Sequence, residues 1–358
     1  MNFGYILLNS KSILPYKMKI KSYSSVVIFL IIFQIKCFAQ ISSKDFEIIK
    51  LARGVYAAIH KPEGRAISNA GIVDLGNVTL VFDTFISPYA AEELKRVISE
   101  MGLGPVKYVV NSHYHDDHIR GNQIFKGASI YSTQITRDLI EKTEPEEIAD
   151  DNKNLLNVIV KSDSMLATVP INDTMQKIQL EFWNSYYKTI LESHKILQTI
   201  LPDKIVTVEE TIKGSKQSVK LIDMGMGHTV SDLILYIPKS KIIFTGDLLF
   251  INNHPWIADG NIDSLKKCLN KIKVMKPSIL VPGHGPVGNK NDIDVLLNYL
   301  DHINHMAELQ IKRGLEPEQV KEIPIPVAYQ SWLLGRFYLP NIKFQMKQLL
   351  EQKNKIGR

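Results

Sequence analysis

Between Asn111 and His118 the chain reads Asn-Ser-His-Tyr-His-Asp-Asp-His, which places three imidazoles and two carboxylates within six residues. The cluster follows the apolar run Val106-Lys107-Tyr108-Val109-Val110. Such a run reads as a buried strand, so the cluster lies where a strand runs out into a loop. Residues two apart in a strand face the same side, so His113 and His115 can converge on one point if extended geometry persists beyond Ser112. Asp117 and His118 then need a turn to come alongside. Imidazole combined with carboxylate suits zinc and, less selectively, iron, manganese or nickel. A solvated His/Asp-rich turn is the simpler alternative, but five potential ligands in six positions at a strand end weigh against it.

His-x-His-x-Asp-His is the signature of the metallo-β-lactamase superfamily, which this sequence resembles over roughly residues 46–300. Two later stretches extend the resemblance. Gly227-His228-Thr229 opens a segment, ending at Thr245-Gly246-Asp247, that is similar to the corresponding region of metallo-β-lactamases and their relatives. Gly283-His284-Gly285 resembles the family's last ligand motif. The implied fold is α+β, a four-layer αβ/βα sandwich with a helical insertion and C-terminal helices. Carried across residue by residue, the resemblance implies that His113, His115 and His228 hold a first metal. Asp117, His118 and His284 would hold a second, with Asp247 bridging both or belonging to the second. Asp117 and Asp247 would also serve catalysis.

Three neutral histidines leave a tetrahedral zinc one open position for water, and a second cation shares that water and lowers its pKa. The expected activity is that of an exported hydrolase with two Zn2+ per chain. A metal-bridged hydroxide would attack an ester, thioester, lactone or amide-type bond in a small-molecule substrate. Without metal, the charges of Asp117 and Asp247 would be uncompensated in one cavity. Asp83, the counterpart of Asp247 in the first half of the chain, is either an acceptor that orients a ligand histidine or plain strand-end structure.

The first 39 residues hold five lysines and no acidic residue. Lys17, Lys19 and Lys21 form a basic n-region, Val26–Phe33 is unbroken apolar sequence, and Cys37-Phe38-Ala39 ends in a small residue. This pattern reads as a signal peptide over 1–39, cleaved before Gln40, and implies a periplasmic or secreted protein. The apolar core is too short to span a bilayer. An uncleaved anchor, a lipoprotein through Cys37 and a start at Met18 are the alternatives. Without the leader, 38 basic residues face 37 acidic ones, so nothing calls for nucleic acid or an anionic membrane. Only Cys268 would then remain, so no intramolecular disulfide can form.

The mature part divides into a sandwich domain over 40–300, interrupted by a helical insertion at about 134–205, and a C-terminal helical extension over 301–358. Strands are expected at Val55–Ile59, Ala70–Asp74, Val78–Asp83, Val106–Ser112, Lys220–Asp223, Leu233–Ile237, Lys241–Asp247 and Ser278–His284. Helices are expected at Ser87–Met101, Thr174–Leu201, Ile262–Met275 and Asp292–Lys312, with a last one after Pro340. The insertion is either packed on the sandwich or a substrate lid. His254-Pro255-Trp256 either lines the pocket or forms a packed turn, and His302 and His305 read as surface residues. Asp247 leans away from β-lactamases, whose branches resembling this segment place a cysteine there or lack a metal-binding residue; β-lactamase activity is one alternative. A mononuclear iron centre of the sulfur dioxygenase type and a non-catalytic metal-binding scaffold are the others.

Overall fold

Two β-sheets lie face to face because their central strands are apolar on both sides. Ala70–Asp74 (β3), Thr79–Phe82 (β4) and Asp232–Ile237 (β10) are buried almost throughout, as strands covered on both faces must be. A computed structural model describes residues 42–356. The leader assigned to residues 1–39 lies outside the described residues. No helix among them is long and apolar enough to cross a membrane.

The first sheet has seven strands in chain order: Phe46–Ala52 (β1), Val55–His60 (β2), β3, β4, Val106–Val110 (β5), Ser129–Ser132 (β6) and Lys204–Ile205 (β7). Its first four strands pair antiparallel, and β4 through β7 pair parallel. The second sheet has the order β12-β11-β10-β9-β8, made from Glu209–Lys213 (β8), Ser218–Gly225 (β9), β10, Ile242–Phe244 (β11) and Ile279–Val281 (β12). Parallel neighbours need a crossover. Helix Pro88–Glu100 (α1) carries β4 to β5, and helix Ile262–Val274 (α5) carries β11 to β12.

The core between the sheets sets Leu80, Phe82 and Val110 against Leu221, Leu235 and Phe244, with the Phe82 and Phe244 rings 5.9 Å apart. Outside the first sheet, Ala90, Leu94 and Val97 of α1 bury Ile72, Val81 and Val109. Outside the second, α5 packs with Lys290–Lys312 (α6) and Tyr338–Ile356 (α7) over Ile234, Ile243 and Leu280. The layers therefore run helix, sheet, sheet, helix, as the resemblance implies. Helix α6 runs through residue 300, and α6 and α7 share one apolar cluster with α5.

The insertion is a pair of helices, Gln134–Thr168 (α3) and Thr174–Ser193 (α4). It packs Leu155, Phe182, Trp183 and Ile190 against Ile67, Phe250 and Leu334 at the edge of the sandwich where the parallel strands end.

Several elements depart from the sequence reading. Helix α4 stops at Ser193 instead of reaching Leu201, and α7 starts at Tyr338, two residues before Pro340. A proline in the first turn costs no helical hydrogen bond. Strands β1, β6, β7 and β8 were not foreseen, and β7 lies at the end of the stretch read as helical insertion. His302 is half-buried, its Nε2 lying 2.8 Å from the Tyr338 hydroxyl, while His305 is exposed as expected.

Candidate metal centre

Strand ends deliver the site. β4 leads into Asp83, and β5 leads into His113 and His115. The turn needed after His115 is the single-turn helix Asp116–Ile119 (α2), for which His115 is the extended N-cap residue. It brings Asp117 and His118 round to the same place. His228 comes from the loop before β10, Asp247 from a 3-10 turn after β11, and His284 from the end of β12.

The seven side chains form two sets. In His113, His115, His228 and Asp247, and again in Asp117, His118 and His284, the ligand-type atoms lie within 4.8 Å of one another. His228 Nε2 is 3.1 Å from His115 Nδ1. His284 Nε2 is 3.2 Å from Asp117 Oδ2. Asp247 faces both sets: its Oδ2 lies 3.3 Å from His228 Nε2 and 3.5 Å from His284 Nε2, and its Oδ1 lies 3.1 Å from His118 Nε2.

The close fit around Asp247 depends on two glycines. Gly246 has φ +52°, a conformation that L side chains rarely adopt. At Gly283 an added Cβ would stand 1.8 Å from Asp247 Oδ1.

The outward nitrogens of three of the histidines are tied down. Asp83 Oδ2 lies 2.8 Å from His118 Nδ1, and the same carboxylate accepts from the backbone N–H and the hydroxyl of Ser112. Ser112 Oγ lies 2.9 Å from His113 Nδ1. Asp259 Oδ2 lies 3.1 Å from His115 Nε2 and accepts from the indole N–H of Trp256 at 2.7 Å. Of the two readings of Asp83, this geometry makes it the acceptor that orients His118. Ser112 and Asp259 went unread in the sequence. A serine beside a histidine carries no signal by itself, and Asp259 arrives through an irregular loop.

Metal ions fit these residues. His113 Nε2, His118 Nε2 and Asp247 Oδ1 are buried without a hydrogen-bond partner, a costly state unless a cation meets them. The donor set is imidazole and carboxylate with no thiolate, which suits zinc and equally admits iron.

The electrostatics show how strongly the carboxylates demand positive charge. Burial acts to raise Asp117, yet His118 and His284 hold it down at about 2. Burial likewise acts against Asp247, which His284 and His118 keep well below the usual carboxylate range. Burial acts to lower His284, but Asp247 and Asp117 lift it to about 9. His118 also rises, because Asp117, Asp247 and Asp83 outweigh its burial. His115 rises through Asp259, again against its burial. His113 and His228 go the other way. Burial and neighbouring imidazoles hold His113 well below the histidine range, and burial takes His228 to about 3.

A cavity of about 820 Å³ opens over the two sets. His115, Asp117, Asp247 and His284 face it, Trp256 and Asp259 line one side, and both insertion helices contribute lining residues. The insertion is thus packed on the sandwich and also forms a wall of the cavity. Of the two other residues of the stretch, His254 is buried elsewhere, with Nδ1 2.9 Å from the Tyr299 hydroxyl, and Pro255 lies in the buried turn.

A family model described as "Metallo-beta-lactamase superfamily" matches residues 64–284. "Metallo-beta-lactamase type 2" of Bacteroides fragilis is 23% identical over 283 residues, which is 75% of this chain and 92% of that protein. "Metallo-beta-lactamase IND-1" of Chryseobacterium indologenes is 23% identical over 221 residues, 57% of this chain and 89% of that protein. Among solved structures, "Metallo-beta-lactamase from Pontibacter korlensis" superposes with a TM-score of 0.51 at 19% identity. The match covers 72% of this chain and 99% of that one.

Proposed function

The chain belongs to the metallo-beta-lactamase superfamily, and on that footing we propose that it is an exported zinc hydrolase cutting an ester, thioester, lactone or amide-type bond. His113, His115 and His228 would hold one ion, Asp117, His118 and His284 the other, with Asp247 between them. The carrying observation is that seven side chains from four strand ends turn their ligand atoms toward one another at the floor of an open cavity. A scaffold that merely stores metal has no use for such an approach.

Bound zinc supplies two things, a water acidic enough to ionise near neutral pH and a positive centre for developing oxyanion charge. The rest is done by the chain. Asp83, Ser112 and Asp259 fix the rotation of His118, His113 and His115, so the inward nitrogens present lone pairs. Asp117 and Asp247 are held ionised at neutral pH by their neighbours, so each offers a charged carboxylate oxygen to a cation.

The relatives named as β-lactamases put β-lactams among the substrates to assay, and Asp247, standing where the lactamase branches that resemble this segment place a cysteine or lack a ligand, ranks lactones, esters and thioesters ahead of them. The test is hydrolysis of aryl lactones, thioesters, esters and a chromogenic β-lactam by residues 40–358. We expect one class to be cut, the activity to vanish on chelation, and zinc to restore it. Activity indifferent to chelation would overturn the proposal, and oxygen uptake with bound iron would replace it by thiol oxidation.

A further inference from the structure

The cavity has two unlike kinds of lining. Helix α3 presents Glu146, Glu147, Asp150 and Asp151, spaced so that they share a helix face, and Asp116 lines the cavity with them. Trp183, Tyr186, Trp256 and Phe337 are the aromatic lining. The cation set against the acidic wall is Arg120, which is buried. Its Nη1 lies 3.1 Å from Asp116 and 3.7 Å from Asp151, its Nη2 3.7 Å from Glu147, and its Nε 3.1 Å from Glu144. One guanidinium against four carboxylates leaves an excess of negative charge. Burial, then Asp116 and Glu144, push Glu147 up to about 8, as expected where carboxylates crowd without enough counter-charge.

We propose that this cavity selects a substrate carrying an ammonium group on an apolar, carbonyl-bearing body. The inference rests on the hydrolase reading above and names the substrate class for that same site. The Tyr186 and Trp256 rings take both the apolar body and the cation, and the α3 carboxylates take the charge. Trp183, nine-tenths buried among the aromatic lining, has an indole N–H without an acceptor.

Two observations favour an organic cation over other occupants. Among the described residues, the sets of ligand atoms close enough to chelate an ion are the two at the floor, so the wall carboxylates do not converge on a further metal. Arg336 is the one Lys or Arg lining the cavity, and its guanidinium is already laid over the Trp183 ring, 3.0 Å from the centroid. A carboxylate substrate would meet one engaged arginine and a wall of like charge.

The experiment titrates the zinc-loaded protein with phenyltrimethylammonium, its neutral isostere tert-butylbenzene and the anion benzenesulfonate, read by tryptophan fluorescence and calorimetry. We expect the ammonium to bind about tenfold or more tighter than either analogue, and added salt to narrow the gap. At pH 9, where Glu147 is ionised, Glu147→Gln/Asp151→Asn should erase most of the preference. The exposed pair Glu146→Gln/Asp150→Asn should reduce it, which covers the case in which the first variant folds poorly. Equal or tighter binding of the neutral or anionic probe would overturn the inference, as would a preference unchanged in both variants. Hydrolysis of acetylthiocholine against 3,3-dimethylbutyl thioacetate is followed in parallel. If neither is cut while the binding preference holds, the hydrolase reading falls for thioesters and the cavity inference stands.

Discussion

Asp83 and His118 are buried together with Oδ2 2.8 Å from Nδ1, although 35 residues separate them in the chain. Asp83 sits at φ +58°, which aspartate and asparagine tolerate and most residues do not. Burial raises its pKa, and His118 and Ser112 pull it back. Asp83→Asn keeps the backbone conformation and the shape while removing the charge that orients His118. We expect metal affinity to fall by about 10–100-fold, read by competition with a chromophoric chelator. Unchanged affinity would mean that the contact is merely structural.

Gly283→Ala tests how closely Asp247 is held. The new Cβ would stand 1.8 Å from Asp247 Oδ1, so the carboxylate must move. A displacement of that size at a reacting centre costs on the order of 100-fold in turnover. Stopped-flow or steady-state hydrolysis on the best substrate found would show it, and wild-type rates would sink the assigned position of Asp247.

The cluster and the fold were legible to different depths. His113, His115, Asp117 and His118 sit so close in sequence that strand periodicity plus one turn brings them together, and the structure supplies that turn as α2. His228, Asp247 and His284 could be named only through resemblance, because nothing local joins residues so far apart. Strand β8, Glu-Glu-Thr-Ile-Lys, buries only Ile212. As an edge strand it carries charge, which hides it from a hydrophobic pattern. His302 looks like a surface residue until α7 folds across α6 and its hydroxyl from Tyr338 arrives.

Arg120 is a buried cation whose loss would strand Glu144 and Asp116. Its Nε is 3.1 Å from Glu144, and both side chains are almost fully buried. Arg120→Met should destabilise the protein by about 3–5 kcal/mol. Chemical denaturation checks this, and a loss below about 1 kcal/mol, the range of exposed pairs, would contradict the contact.

Glu147 gives stability a definite pH dependence. Its pKa is raised from 4.5 to about 8 by burial, then Asp116 and Glu144, with Arg120 and His115 opposing. A carboxyl that holds its proton more tightly when folded stabilises fully below its unfolded pKa, and that contribution is lost as pH rises through the folded one. Stability should therefore decline between about pH 5 and pH 8. Glu147→Gln should flatten that slope and raise the melting temperature at pH 8. A slope of the same size in the variant would assign it elsewhere.

Asp117→Ala and His118→Ala separate two ions from one. Each removes a ligand from the second set while leaving His113, His115 and His228 in place. We expect turnover to fall by about 10³-fold or more in both, with far-UV circular dichroism unchanged. Full activity in both would leave no role for the second set.

Metal content bears most directly on the claim that these seven side chains form a two-ion hydrolytic centre. Plasma mass spectrometry on residues 40–358, purified without chelator, should find close to two zinc per chain, falling to about one in His118→Ala. One iron with little zinc, or no bound metal even after zinc is added, would contradict it.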